Sequence, residues 1–110
     1  MDELIKLAKE KGFETKIDYV TQIKDTPYKT KEEIEYWEKF KFYIWMCELR
    51  KWLMDEKSIF IEISIEDIDY FIYTVRDFNL NHSSNICYSG SCLYFETSLH
   101  ESLTDALKLI

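Results

Sequence analysis

Glycine and proline are scarce in this sequence. Its 110 residues include two glycines and one proline, whereas average usage would give roughly thirteen of these two types together. A collagen-like chain, a flexible linker and a glycine-rich phosphate loop are therefore excluded. No apolar run reaches the roughly 20 residues of a membrane span, and the acidic start Met1-Asp2-Glu3 is unlike a signal peptide. We expect no membrane contact.

The composition is that of one folded domain. Hydrophobic residues make up 46% of the chain and charged residues 32%, which excludes wholesale disorder. A chain of this length buries about two thirds of its surface on folding, so a core forms without disulfides or metal ions. We predict a single α+β domain over residues 1–110, in which residues 14–29 form a connection whose structure the sequence leaves open.

The whole chain has a net charge of −7, and basic residues are nearly absent from its second half. Residues 58–110 contain only Arg76 and Lys108 against eight acidic side chains. Nucleic-acid binding depends on a basic surface that displaces counterions, so we expect a protein partner, one with a basic surface. The alternative is a nucleic-acid contact through the N-terminal lysines Lys6, Lys9, Lys11, Lys16, Lys24, Lys29 and Lys31.

Cysteine and histidine form no pattern typical of a metal or catalytic site. The odd number of three cysteines indicates a reducing compartment, which is the cytoplasm. Cys47 lies in the most apolar stretch, so we expect a buried structural thiol. The two histidines, His82 and His100, have no third group at a fixed spacing to orient them as bases.

Acidic residues between two predicted strands could ligate a divalent cation, but successive side chains of a turn point apart. We therefore interpret Glu66, Asp67 and Asp69 as a solvated turn, and the loop at 81–84 likewise offers polar groups without a partner acid. No catalytic, cofactor-binding or metal-binding residue and no cofactor is predicted, and the chain is not expected to be an enzyme.

Three helices are predicted from apolar periodicity and capping residues. The first runs from Asp2 to Lys11 and ends at Gly12, which suits a left-handed C′ position. The second starts at the capping box of Thr30 and Glu33 and forms the central, largely covered helix of the domain. The third starts at Ser98, with Thr97 as a competing cap.

The strands between the second and third helices are expected to form an antiparallel meander. Ile59–Ile65 alternates strictly between isoleucine and other residues, and Tyr70–Asp77 is rich in β-forming residues. Cys92–Phe95 is the third strand, and Ile86–Tyr88 would make a fourth. The predicted order is α-α-β-β-β-α, with the helices packed on one face of the sheet. Leu99, Leu103 and Leu107 should then meet Ile59, Ile61 and Ile63.

The relation between Cys87 and Cys92 depends on the turn between them. A two-residue turn at Ser89-Gly90 would place the two cysteines opposite each other, at a separation near the short limit for a disulfide. With a longer loop the pair never meets. We expect free thiols in either case.

Aromatic residues, 16% of the chain, serve as core, as interface anchors or as stacking surfaces for bases. Helix 2 carries more apolar surface than a three-stranded sheet and helix 1 can cover. Either the third helix and residues 13–23 cover the remaining surface, or a second protomer does. We favour the second, a two-fold homodimer through helix 2.

Several stretches resemble a group of short proteins encoded by phages, prophages and mobile elements of Bacteroidota bacteria. These stretches are LIKLAKEKGF, YIWMCELRKWLMDE with the Ile-rich strand that follows it, and the closing ALKLI. The resemblance covers residues 4–13, 42–76 and 93–110. It implies cytoplasmic expression in a bacterial host and a phage-linked accessory role, without assigned site residues. The ending SLHESLTDALKLI also looks like that of HicB-type antitoxins.

These observations together favour a non-enzymatic accessory protein that binds another protein. The alternative is a nucleic-acid-associated regulatory factor of antitoxin-like type.

Overall fold

The computed structural model describes residues 2–15, 30–67, 70–80 and 85–110. These residues form three helices and a three-stranded antiparallel sheet, so the predicted α+β class is confirmed. Most of the predicted connection at 14–29 lies outside the described residues, as do positions 68–69 of the predicted turn and the loop at 81–84. The elements are α1 Asp2–Glu10, α2 Lys31–Lys57, β1 Ile59–Asp67, β2 Tyr70–Asp77, β3 Ile86–Cys92 and α3 Phe95–Leu107.

Helix α1 ends as predicted, at a glycine in the left-handed conformation. Gly12 has a φ of 97°, which residues with a Cβ adopt only at a cost. Its N–H donates to the carbonyl of Lys9, and the N–H of Phe13 donates to that of Ala8. This pair of bonds is a Schellman motif, and it turns the buried Phe13 ring back onto the core.

Helix α2 begins at the predicted cap. Thr30 has extended backbone angles, and its hydroxyl accepts a hydrogen bond from the N–H of Glu33 at 3.2 Å. That bond satisfies one of the donors that the first helical turn leaves without an intrahelical acceptor. Glu32 and Glu33 in the same turn complement the helix dipole.

Replacing Thr30 by alanine removes this cap. We expect the free energy of unfolding to fall by about 1 kcal/mol, measured by urea denaturation followed by circular dichroism. Thr30→Ser keeps the acceptor and should stay close to the wild type. Equal losses in the two variants would show that the methyl group, and not the hydrogen bond, stabilises this helix start.

The strands follow one another as a meander in the order β1-β2-β3. Ile61 pairs with Val75 and Ile63 with Tyr73 in the β1–β2 ladder. Tyr73 pairs in turn with Gly90 in the β2–β3 ladder. Paired residues point to the same face of a sheet, and the buried positions of β1 and β2 all belong to this face.

The core joins that face of the sheet to the helices. Helix α3 contacts all three strands as well as α1 and α2, and α2 contacts β1. Leu99, Leu103 and Leu107 of α3 are fully buried and belong to the same cluster as Ile59 and Ile61, against which Ile63 packs from a half-buried position.

The predicted turn at Ser89-Gly90 is wrong. Strand β3 runs through both residues from Ile86 to Cys92 and contains the predicted short strand Ile86–Tyr88. The predicted strand Cys92–Phe95 is wrong, because only Cys92 belongs to β3 and Phe95 begins α3. Gly90 lies within the strand because the ring of Tyr73 crosses it, and a Cβ on Gly90 would stand 2.6 Å from Tyr73 Cε1. The glycine that suggested a turn is a packing requirement of the neighbouring strand.

The third helix starts earlier than predicted. Its N-cap is Tyr94, which has extended backbone angles and no side-chain cap bond, and the helix begins at Phe95. The N–H of Ser98 donates to the carbonyl of Tyr94 within the first turn. Ser98 is fully buried, so this small residue is used for close packing and not as the predicted cap.

Cys47 is exposed, contrary to the expectation of a buried thiol. The buried residues of α2 recur at helical spacing along one face: Phe42, Trp45, Met46, Leu49 and Leu53. At 100° per residue, Cys47 falls on the opposite side of the helix. A continuous apolar run in the sequence therefore supplies two different faces of α2.

Candidate functional site

A groove of about 450 Å³ separates helix α2 from the start of α3. Phe42 and Met46, both buried, form its apolar floor. Tyr43 and His100 stand on opposite sides of the groove, since one belongs to α2 and the other to α3. The lining residues are Lys39, Phe42, Tyr43, Met46, Glu96, Thr97, His100 and Glu101.

His100 lies where this groove meets two others. One, of about 380 Å³, separates α3 from α1, and the other, of about 390 Å³, separates α3 from the Tyr73 side chain of β2. Carboxylates outnumber cations around the three grooves. The acidic lining residues are Glu3, Glu10, Glu96, Glu101 and Asp105, and the basic ones are Lys6 and Lys39.

Two carboxylates of α3 accept hydrogen bonds from the sheet. The Tyr73 hydroxyl donates to Asp105 Oδ2 at 2.8 Å, and Cys92 Sγ donates to Glu101 Oε2 at 3.2 Å. Burial, reinforced by these hydrogen bonds, raises the pKa of both the Tyr73 phenol and the Cys92 thiol. Cys92 is thus held as a thiol, and the thiol is a much poorer nucleophile than the thiolate.

The His100 imidazole is held in its neutral form at neutral pH. Burial lowers the pKa of this side chain, and the nearby Glu101 carboxylate opposes the shift only in part. The ring centroid lies 6.2 Å from that of Phe42. A neutral imidazole next to an aromatic ring can donate one hydrogen bond and accept another, which suits ligand contact more than charge pairing.

This lowered pKa predicts an acid-dependent loss of stability. The unfolded chain has a histidine of ordinary pKa, near 6.5, and binds a proton there more readily than the folded chain does. The free energy of unfolding of the wild type, relative to His100→Gln, should therefore fall as the pH drops from 7.5 to 5. Urea titrations at four pH values measure this difference, and a constant or rising difference would contradict the assignment.

The sequence left open whether Cys87 and Cys92 meet, and the structure shows that they do not. Cys87 and Cys92 lie five positions apart on the same strand, so they do not face each other, and all three cysteines are free. Cys87 Sγ contacts the carbonyl of Asn85 at 3.7 Å. Within 2–15, 30–67, 70–80 and 85–110, no group of three His, Cys, Asp or Glu residues is placed to hold a metal ion.

The described N-terminal lysines belong to different elements. Lys6 and Lys9 are exposed on α1, and Lys11 Nζ donates to the carbonyl of Ile110 at 2.6 Å. Lys31 is exposed at the start of α2. Lys16, Lys24 and Lys29 lie outside the described residues, as does His82.

Sequence analysis missed the grouping of carboxylates around His100. Glu96, Glu101 and Asp105 are spaced five and four residues apart on α3, which places Glu101 and Asp105 on one side of the helix. This spacing can be recognised in the sequence. The contact of Tyr73 with Asp105 cannot, because it depends on how β2 packs against α3.

A second exposed surface lies on the outer side of α2. Tyr36 is 65% exposed, Phe40 44% and Met54 40%. Aromatic side chains of this size on the outside of a helix are typical of interfaces.

No protein-family model, curated protein or solved structure matches this chain. Among the described residues, every helix is too short or too polar to span a bilayer.

Proposed function

We propose that this protein is a non-enzymatic, cytoplasmic accessory protein that binds a basic segment of another protein. The groove between α2 and α3 carries the proposal, because it combines an apolar floor with carboxylates at its edge. The resemblance to short phage and mobile-element proteins supports an accessory role in a bacterial host.

The chemistry of the groove defines the segment that it would bind. Phe42 and Met46 favour an apolar side chain on the floor, because burying such a group is worth roughly 1.5–3 kcal/mol. Glu96 and Glu101 at the edge favour Lys or Arg beside that anchor. The α3 carboxylates that line this groove and the one beside it, Glu96, Glu101 and Asp105, attract a basic partner at low salt.

The states of the nearby reactive groups support a binding role. Cys92 is held as a protonated thiol. His100 is held neutral, and its contacts are with a ring and with the walls of the grooves. A nucleophile and a base that act together need to lie within hydrogen-bond reach, and the hydrogen bond of Cys92 Sγ goes to Glu101 instead.

Fluorescence anisotropy with labelled peptides tests this proposal. The probes are 12-residue peptides that place one Leu or Phe between Lys or Arg residues, together with acidic and scrambled peptides of equal length. We expect the basic peptides with an apolar anchor to bind and the others to bind at least about tenfold more weakly, a factor that corresponds to about 1.4 kcal/mol. Affinity should fall as salt rises.

A matched pair of variants locates the binding surface. Glu96→Lys with Glu101→Lys should abolish peptide binding. Asp55→Lys with Glu56→Lys makes the same change in net charge at exposed positions near the end of α2 and should reduce binding only slightly. Equal losses in the two double variants would assign the effect to net charge and overturn the groove as the site.

The second candidate is a nucleic-acid-associated regulatory factor, which the exposed Lys6 and Lys9 of α1 favour. Its test is binding of a labelled RNA or DNA duplex by the wild type and by Lys6→Glu with Lys9→Glu. Duplex binding that this change removes, together with no peptide binding, would favour the second candidate.

A further inference from the structure

The outer side of α2 carries a regularly spaced series of residues, mostly apolar, of which Tyr43 and Arg50 are half-buried and the other four are exposed. Tyr36, Phe40, Tyr43, Cys47, Arg50 and Met54 follow one another in alternating steps of four and three residues. Steps of four and three keep side chains on one side of a helix, as the a and d positions of a heptad do. We call these six residues the outer seam of α2.

The outer seam is distinct from the buried side of the helix. The core uses Phe42, Trp45, Met46, Leu49 and Leu53, whereas Tyr36, Phe40, Cys47 and Met54 of the seam are all exposed. Helix α2 thus presents one apolar side to its own domain and a second one outward. A helix that is apolar on several sides needs a cover on each.

We propose that a second copy of this chain covers the outer seam, with the two α2 helices packed antiparallel around a two-fold axis. Charge selects this occupant and this direction. The heptad spacing continues from the seam to Glu33 at the start of α2 and to Lys57 at its end. A parallel pair would place Glu33 beside Glu33, and Lys57 beside Lys57, of the second copy, and like charges in contact are destabilising.

The antiparallel pair brings complementary groups together at three of its four facing pairs, and the Lys57 ammonium leaves its present position, 5.4 Å from the centre of its own Trp52 ring, to reach the first of them. With the two-fold axis between Tyr43 and Cys47, Glu33 faces Lys57 of the second copy, and Tyr36 faces Met54. Phe40 then lies against the Arg50 side chain, whose guanidinium already donates to the carbonyl of Ile61 in its own chain. An ion pair, an aromatic–sulfur contact and an aromatic–arginine contact thus occur twice, once on each side of the axis.

The dimensions of the seam indicate a weak dimer. From Glu33 to Lys57 the helix rises about 36 Å, and a helix with its side chains is roughly 10 Å wide. Each copy therefore contributes a strip of about 360 Å² in projection, less than half of the roughly 800 Å² per partner that a standard stable interface buries. We expect a dissociation constant in the micromolar range, so that both species are present in the concentration range of analytical ultracentrifugation.

Sedimentation velocity from about 2 to 200 μM tests the proposal. The wild type should shift from monomer to dimer, and Phe40→Glu should remain monomeric at every concentration. Leu80→Glu is the matched control, because Leu80 is 40% exposed and lies off α2; it should dimerise as the wild type does. A wild type that is monomeric throughout, or a dimer that Phe40→Glu leaves intact, would overturn the proposal.

A charge exchange tests the direction of the helices. Glu33→Lys and Lys57→Glu each place like charges together in the antiparallel pair, so each should weaken dimerisation about tenfold. The variant that carries both changes restores opposite charges and should recover most of the affinity. If the two single effects simply add in the double variant, the antiparallel arrangement is wrong. Glu33 and Lys57 do not line the α2–α3 groove, so peptide binding by the monomer should be unchanged in all three variants. It is measured below the concentrations at which the wild type dimerises, because Tyr43 lines the groove and also lies beside the two-fold axis.

Discussion

Replacing Trp45 by alanine should lower the free energy of unfolding by about 3–5 kcal/mol. The Trp45 side chain is 3% exposed and lies between two other rings. It stacks on Phe42 at a centroid distance of 5.7 Å and meets the edge of Phe13 at 5.7 Å. Its removal leaves a cavity that the two neighbouring rings cannot close, because Phe13 follows the fixed turn after α1 and Phe42 belongs to the same rigid helix as Trp45.

Urea denaturation followed by circular dichroism measures this loss, since removal of a tryptophan also changes the fluorescence signal. Typical domains have a total stability of about 5–15 kcal/mol, so the variant should be close to the limit of folding. Tyr36→Ala on the same helix, at 65% exposure, should cost far less. A Trp45→Ala variant with the same urea midpoint as the wild type would show that Trp45 lies outside the core.

Replacing Gly90 by alanine should cost about 1–3 kcal/mol, the range for inserting a methyl group into a filled space. The new Cβ would stand 2.6 Å from Tyr73 Cε1 and 2.7 Å from the Tyr73 hydroxyl oxygen. The ring cannot simply move aside, because its hydroxyl is bonded to Asp105 on α3. Relief of the clash therefore disturbs the contact between the sheet and α3.

A double-mutant cycle identifies the cause of this cost. In a Tyr73→Ala background the obstructing ring is absent, so Gly90→Ala should be nearly neutral there, although Tyr73→Ala itself destabilises. An equal cost of Gly90→Ala in both backgrounds would instead assign the effect to the strand backbone. The cycle is followed by urea denaturation of all four proteins.

The parts of the fold that sequence analysis predicted well are those with local causes. The glycine stop after α1 and the Thr30 cap of α2 depend on residues within five positions of each other. The alternating isoleucines of β1 likewise report the pleat of a single strand.

The errors occur where a distant residue decides the local structure. The Tyr73 ring of the neighbouring strand requires a glycine at position 90, so Gly90 does not mark a turn. Ser98 is fully buried within the first turn of α3 and is not its N-cap. The prediction that Cys47 is buried is wrong, because a continuous apolar run does not show which face of the helix packs internally and which points outward. The α2–α3 groove could not be predicted either, because it forms only where α3 packs against α2 in the folded domain.

Helix α1 packs on α3. Lys11, just after α1, donates a hydrogen bond to Ile110, just after α3 and 99 positions along the chain. The meander, by contrast, pairs only strands that are consecutive in the chain. The loop closed by docking α1 is thus the longest in the fold and carries the largest closure entropy, so α1 should dock late in folding, after the transition state. In Leu4→Ala the whole loss of stability should then appear as a faster unfolding rate, while the refolding rate stays unchanged. Stopped-flow kinetics measures both rates.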